Sequence, residues 1–197
     1  MPKTHPLTAK DKTAKMMKEV PIEEKADTLN TQTARKKAAT EDFVVEMKRY
    51  DRIRGIGMKT MATMTDVSAK AAELWGKRFG PRMKEISGLH PGSLGICVFS
   101  SREPGAPYEY WAVVQASDGE AIPAGMSEVV VDAQNYVEVE TTMSRLREAY
   151  AYLFGEWSVR HPEHKLSAML PTVEFYPADF MASKKVSLRL ALERNKD

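Results

Sequence analysis

Apolar and polar side chains alternate along most of the chain from residue 42 onward, which is the pattern of half-buried β-strands. The alternation predicts strands at residues 43–47, 51–61, 94–99, 108–116, 127–132, 136–141, 172–177 and 186–192. Two stretches follow a helical period instead. The first predicted helix, near residues 66–79, has a stripe of Val67, Ala71, Leu74, Trp75 and Phe79 and ends at Gly80-Pro81. The second, near 143–159, has a stripe of Met143, Leu146, Tyr150, Leu153, Phe154 and Trp157 and ends at His161-Pro162.

The same order of elements occurs twice. A shift of 79 residues places Leu74-Trp75-Gly76 on Leu153-Phe154-Gly155, and the strand at 94–99 on residues 173–178. Two repeats of β-α-β-β, at about 42–117 and 127–192, are therefore predicted. Because each repeat alone is small for a stable core, we expect one shared antiparallel sheet and an α+β fold. Both helices are expected on one face, with a ligand groove on the other face at the pseudo-twofold seam.

The first 41 residues differ from the rest in composition. Residues 1–40 hold nine basic and five acidic side chains and few large apolar ones, whereas the whole chain has a net charge of only +2. We interpret residues 1–41 as a polar arm, partly helical or disordered, and residues 42–197 as the folded domain. The lysines of the arm have no aromatic residues between them, so nucleic-acid binding is not expected.

Several function classes are disfavoured by what the chain does not contain. No run of about 18 apolar residues is present, so no membrane span is expected. Gly55-Ile56-Gly57 lacks the third glycine of a dinucleotide fingerprint, and no cofactor is predicted. His161 and His164 have no third ligand placed by a motif, so that segment is interpreted as a polar loop without a metal. The single cysteine, Cys97, fits a buried thiol in a cytoplasmic protein.

One carboxylate lies within a predicted strand, between two apolar residues. Glu174 lies between Val173 and Phe175 in a short strand that has a proline at each end. A buried charge is costly unless something pairs with it, and such inconsistencies concentrate at functional sites. If Val173 and Phe175 pack under the helices, Glu174 lies on the free face of the sheet together with Tyr176. The alternative is an ordinary solvated strand face.

The series of motifs from about Phe43 to Leu192 resembles the GyrI-like superfamily, the effector-binding domains of AraC- and MerR-type transcription activators. The stretches that carry the resemblance are Arg54-Gly55-Ile56-Gly57, Leu74-Trp75 with Phe79, Tyr108-Glu109-Tyr110-Trp111-Ala112-Val113, Ile122-Pro123-Ala124-Gly125-Met126, Tyr136-Val137-Glu138-Val139 and Thr172-Val173-Glu174-Phe175-Tyr176. The arm is too short and too polar for the helix-turn-helix domain that precedes such domains in transcription factors.

The resemblance implies a stand-alone domain that binds hydrophobic, aromatic or cationic small molecules in a groove anchored by a glutamate. Glu174 matches that glutamate, and Tyr110, Trp111, Tyr136 and Tyr176 are the candidate aromatic walls. Tyr110 and Trp111 point to opposite faces, and Trp111 is preferred because it shares its face with charged Glu109.

Two alternatives remain open at this point. Some members of the superfamily resemble hydrolases that open strained cyclopropane rings, in which case Glu174 is the catalytic residue. Others bind proteins such as DNA gyrase, so a protein partner is the third hypothesis.

Overall fold

The computed structural model describes residues 43–88 and 91–193 of the chain. The predicted arm at residues 1–41 lies outside the described residues. The predicted α+β class with one shared antiparallel sheet is confirmed. The sheet has eight strands, β1 Val45–Tyr50, β2 Ile53–Ala62, β3 Gly92–Val98, β4 Tyr108–Gln115, β5 Ser127–Val131, β6 Gln134–Thr142, β7 Thr172–Pro177 and β8 Lys185–Ala191. All their pairings are antiparallel, in the order β1-β6-β8-β7-β3-β4-β2-β5.

The strand order shows a pseudo-twofold relation in which the two repeats exchange their first strands, β1 and β5. Exchanging β1 with β5, β2 with β6, β3 with β7 and β4 with β8 reproduces the same order read backwards, so the axis lies between β7 and β3. The first strand of each repeat pairs in the other half, since β1 joins β6 and β5 joins β2. Each repeat is therefore β-β-α-β-β, one strand longer than the predicted unit.

Two helical segments occupy equivalent places in the repeats. In the first repeat, α1 (Val67–Glu73) continues through a π-helical stretch, Leu74–Phe79, into a 3-10 turn, Gly80–Glu85. In the second, α2 (Leu146–Tyr152) continues through a π-helical stretch, Leu153–Trp157, into α3 (Ser158–Arg160). A short α-helix of one turn, α4 (Phe180–Ser183), connects β7 to β8. Gly80-Pro81 does not end the first helical segment as predicted, because proline is tolerated in the first turn of the 3-10 segment that begins there.

Both helical segments pack on the same face of the sheet, as predicted. Leu74 and Phe79 contact a cluster that contains Cys97 and Tyr110, and Leu146 and Leu153 contact one that contains Leu188. These strand residues share a face, because Cys97 is the register partner of Tyr110 and Leu188 is the partner of Glu174.

The ligand groove is predicted on the face opposite the helices. That face carries a third buried cluster, whose members come from strands β2 to β8 and include Leu94, Ile96, Trp111, Val173 and Tyr136. Apolar side chains therefore fill a large part of this face as well. Among the helices that the structure describes, none is long and apolar enough to span a membrane.

Candidate ligand-binding site

Glu174 lies at the centre of the sheet, on the face that carries the helices. It belongs to β7, and its register partner on β3 is Gly95. The Glu174 side chain is buried, with a relative exposure of 7%. The condition that Val173 and Phe175 pack under the helices is not met, because Val173 belongs to the cluster on the opposite face and Phe175 packs against it. The alternation of the strand then turns Glu174 toward α1 and α2.

Three tyrosine hydroxyls surround this carboxylate. Tyr176 donates to Oε2 at 2.6 Å, Tyr110 donates to the same oxygen at 3.3 Å, and Tyr150 donates to Oε1 at 2.9 Å. The donors come from β7, β4 and α2, so sheet and helix both contribute. Hydrogen bonds to an ionised acceptor are about twice as strong as neutral ones, which explains how a carboxylate is tolerated at this depth.

Aromatic rings enclose the hydroxyls. Trp75 donates its Nε1–H to the hydroxyl of Tyr110 at 3.0 Å and packs edge-on against Tyr176, with ring centroids 5.6 Å apart. Phe180 packs against the other side of Tyr176 at 5.0 Å. Trp75 contacts the apolar clusters under both helices and thus bridges the two halves of the domain over the carboxylate.

Burial controls the protonation of the whole group. It raises the pKa of the Glu174 carboxyl above its ordinary value, and the hydrogen bonds from Tyr176, Tyr150 and Tyr110 partly oppose that rise. Burial also raises the pKa of all three phenols, with the Glu174 charge as the next contribution. The phenols therefore stay protonated at neutral pH and act as donors to the carboxylate.

Glu138 is a second buried glutamate and offers a direct comparison. It lies on the opposite face with a relative exposure of 4%, and it accepts bonds from Lys48 Nζ at 2.7 Å, Tyr50 at 2.5 Å and Arg189 Nε at 2.7 Å. Burial would raise its pKa, but these hydrogen bonds outweigh burial and lower it. Within the described part of the chain, Glu174 has no comparable ion pair with Lys, Arg or His. One buried carboxylate is neutralised by the protein, and the other has only neutral donors.

The structure separates the predicted aromatic walls into two groups. Tyr110 and Tyr176 contact Glu174. Trp111 and Tyr136 belong to the cluster on the opposite face, so Tyr110 and not the preferred Trp111 shares the face of Glu174. Trp111 does share its face with Glu109 as expected, and its Nε1–H donates to that carboxylate at 2.9 Å.

For two residues of the site, the sequence predicts only a place on an apolar helix stripe. Tyr150 and Trp75 fit an apolar helix face by spacing, and their polar atoms gave no separate signal in the sequence. Both side chains are only partly buried, so they mark where the site approaches solvent.

In residues 43–88 and 91–193, no group of three or more His, Cys, Asp or Glu side chains is arranged to hold a metal ion. Two surface cavities, of about 330 and 270 Å³, lie away from Glu174.

Comparisons with known proteins agree on this fold. Among solved structures, an integron cassette protein from Vibrio cholerae matches with a TM-score of 0.56 and 14% identity, over 77% of this chain and 97% of that one. SAV2435 bound to tetraphenylphosphonium matches with a TM-score of 0.59 and 11% identity, over 76% and 94%. The C-terminal domain of EcmrR matches with a TM-score of 0.53 and 15% identity, over 78% and 99%. A comparison with curated proteins found no match.

The fold and the family comparison together identify a GyrI-like effector-binding domain. The family model described as integron-associated effector binding protein, Cass2, matches residues 46–192, which is most of the chain. The chain belongs to this family, and residues 46–192 form a small-molecule-binding domain.

Proposed function

We propose that the domain binds hydrophobic cations between α1 and α2, with Glu174 as the counter-charge. The observation that carries the proposal is the contrast between the two buried glutamates. Glu138 is paired with Arg189 and Lys48, whereas Glu174 is held by tyrosine hydroxyls without a cationic partner among the described residues. A buried carboxylate of this kind gains free energy when a cation arrives.

The surroundings of Glu174 favour a cation that is large and apolar. The rings of Trp75, Tyr110, Tyr150 and Tyr176 border the carboxylate, and aromatic faces attract cations, more strongly where water is excluded. A small, strongly hydrated ion would lose its hydration without enough replacement oxygens. The similarly folded SAV2435 is described as bound to tetraphenylphosphonium, a cation of the proposed class.

Entry of the ligand requires side-chain movement. Glu174 is enclosed, while Trp75 and Tyr150 remain partly exposed above it. These two side chains lie on the two helical segments rather than on the sheet. We expect both to move aside on binding, so that Tyr150 gives up its hydrogen bond to Oε1 and the cation takes its place.

The location of the bound cation can be tested with the tryptophans. Trp75 lies over Glu174, while Trp111 lies on the opposite face of the sheet. Titration with tetraphenylphosphonium should change the fluorescence of the wild type and of Trp111→Phe saturably, and this change should be absent in Trp75→Phe. A change that persists in Trp75→Phe and disappears in Trp111→Phe would place the ligand on the wrong face and contradict the proposal.

A further inference from the structure

Glu174 and Gly95 are related in two ways at once. They are register partners across β3 and β7, and they are also equivalent positions of the two repeats, 79 residues apart. A pair of residues that are both partners and equivalents must lie on the pseudo-twofold axis. The duplication therefore presents the same position twice at the centre of the site, once as a glutamate and once as a glycine.

The absence of a side chain at position 95 is necessary for the observed arrangement. A Cβ atom built on Gly95 would lie 2.6 Å from the hydroxyl oxygen of Tyr110 and 2.7 Å from Oε2 of Glu174. Both distances are shorter than real Cβ contacts, so the carboxylate and its Tyr110 donor occupy the space that a second side chain would need. The backbone of Gly95 is in an ordinary strand conformation, so its role is to leave room.

The site consequently contains a single negative charge. The residues that face Glu174 from the neighbouring elements are Cys97, Tyr110, Ala112, Tyr150, Trp75, Tyr176 and Leu188. None of these is a second carboxylate, and burial raises the pKa of the Cys97 thiol, so that it stays neutral. The hydroxyls of the three tyrosines all donate to Glu174.

We propose that the Gly95–Glu174 pair restricts this site to ligands with one positive charge, and that Gly95 is the residue that sets this limit. The inference rests on the proposed function. A first positive charge is compensated by Glu174, but a second would lose its hydration among neutral aromatic groups without a partner. Aromatic monocations should therefore bind, and dications of the same shape should be rejected.

The test compares two cations of nearly the same shape on the full chain. N-methyl-4-phenylpyridinium carries one charge, and N,N′-dimethyl-4,4′-bipyridinium carries two at the two ends of a similar frame. Calorimetric titration of the wild type should show the dication binding at least tenfold more weakly than the monocation. A smaller ratio, with the monocation bound, would overturn the inference and leave the proposed function intact. Binding of neither cation, nor of tetraphenylphosphonium, would overturn both.

A matched pair of variants tests the role of position 95 itself. Gly95→Asp and Gly95→Asn add side chains of almost equal size to the axis, and only the first adds a charge. The ratio of dication to monocation affinity should be at least tenfold higher in Gly95→Asp than in Gly95→Asn. Equal ratios in two folded variants would show that position 95 does not set the charge limit. If either variant fails to fold, the wild-type comparison still decides whether the site is limited to ligands with one positive charge.

Discussion

The hydroxyl of Tyr150 on α2 donates a hydrogen bond of 2.9 Å to Oε1 of Glu174 at the centre of the sheet. The other two donors to this carboxylate, Tyr110 and Tyr176, belong to strands. Among the described residues, Tyr150 is thus the one hydrogen-bond donor to Glu174 that comes from a helix. A cation that binds Oε1 must compete with this hydroxyl, so the same bond stabilises the free domain and opposes ligand binding.

Tyr150→Phe should therefore change stability and affinity in opposite directions. Loss of a hydrogen bond to a charged acceptor should lower the free energy of unfolding by about 1.5–3 kcal/mol. The affinity for tetraphenylphosphonium should rise by roughly three- to tenfold, because the competing donor is gone. Denaturant unfolding and calorimetry measure the two quantities. Tyr152→Phe is the control, since no hydrogen bond of the Tyr152 hydroxyl is found in the described residues, and weaker binding by Tyr150→Phe would contradict this account.

Binding of the cation should depend on pH through Glu174. Burial raises the pKa of this carboxyl from an ordinary value near 4.5, so the protonated form persists to higher pH than in the unfolded chain. The cation favours the ionised form, and its affinity should increase as the pH rises through the raised pKa and then level off. Below that pKa, binding should release up to one proton, which calorimetry in buffers of different ionisation enthalpy detects.

The control for this pH dependence is Glu174→Gln, in which the residual affinity for the same cation should not change across the range. An affinity for the wild type that is constant with pH, or that falls as the pH rises, would be inconsistent with Glu174 as the counter-charge.

Glu138 should behave as a structural residue. Glu138→Gln removes the charge that pairs with Arg189 and leaves that guanidinium buried without its counter-charge. Breaking a buried ion pair on one side typically costs about 3–5 kcal/mol of unfolding free energy. The affinity for tetraphenylphosphonium at a temperature where the variant is folded should stay within about twofold of the wild type. A large loss of affinity without a loss of stability would mean that the two glutamates had been assigned the wrong roles.

The sequence predicts much of this fold because its pattern is repeated. The 79-residue shift that aligns Leu74 with Leu153 also holds for the strand pair at the axis. The swap of β1 and β5 was not predictable in the same way, because alternation identifies a strand but carries no information about which edge it joins.

The site was predicted in part, and the error has a physical cause. Alternation assigns Glu174 and Val173 to opposite faces, but it does not say which face the helices cover. An apolar residue such as Val173 predicts a covered face, yet both faces of this sheet carry buried apolar clusters. The contact of Tyr150 with Glu174 could not be predicted for a related reason. A tyrosine on an apolar stripe has the same sequence pattern whether its hydroxyl reaches solvent or a buried carboxylate.

The most direct test of the account is a calorimetric titration of wild type and Glu174→Gln with tetraphenylphosphonium and with neutral triphenylphosphine oxide. Glutamine keeps nearly the same shape but removes the charge. Glu109→Gln, which removes an equal charge paired with Lys59 on the opposite face, is the control and should bind like the wild type. We predict that Glu174→Gln loses roughly ten- to a hundredfold in affinity for the cation, the equivalent of about 1.5–3 kcal/mol, and little for the neutral compound. Equal losses for both compounds, or no loss for the cation, would contradict the claim that Glu174 is the counter-charge of the ligand.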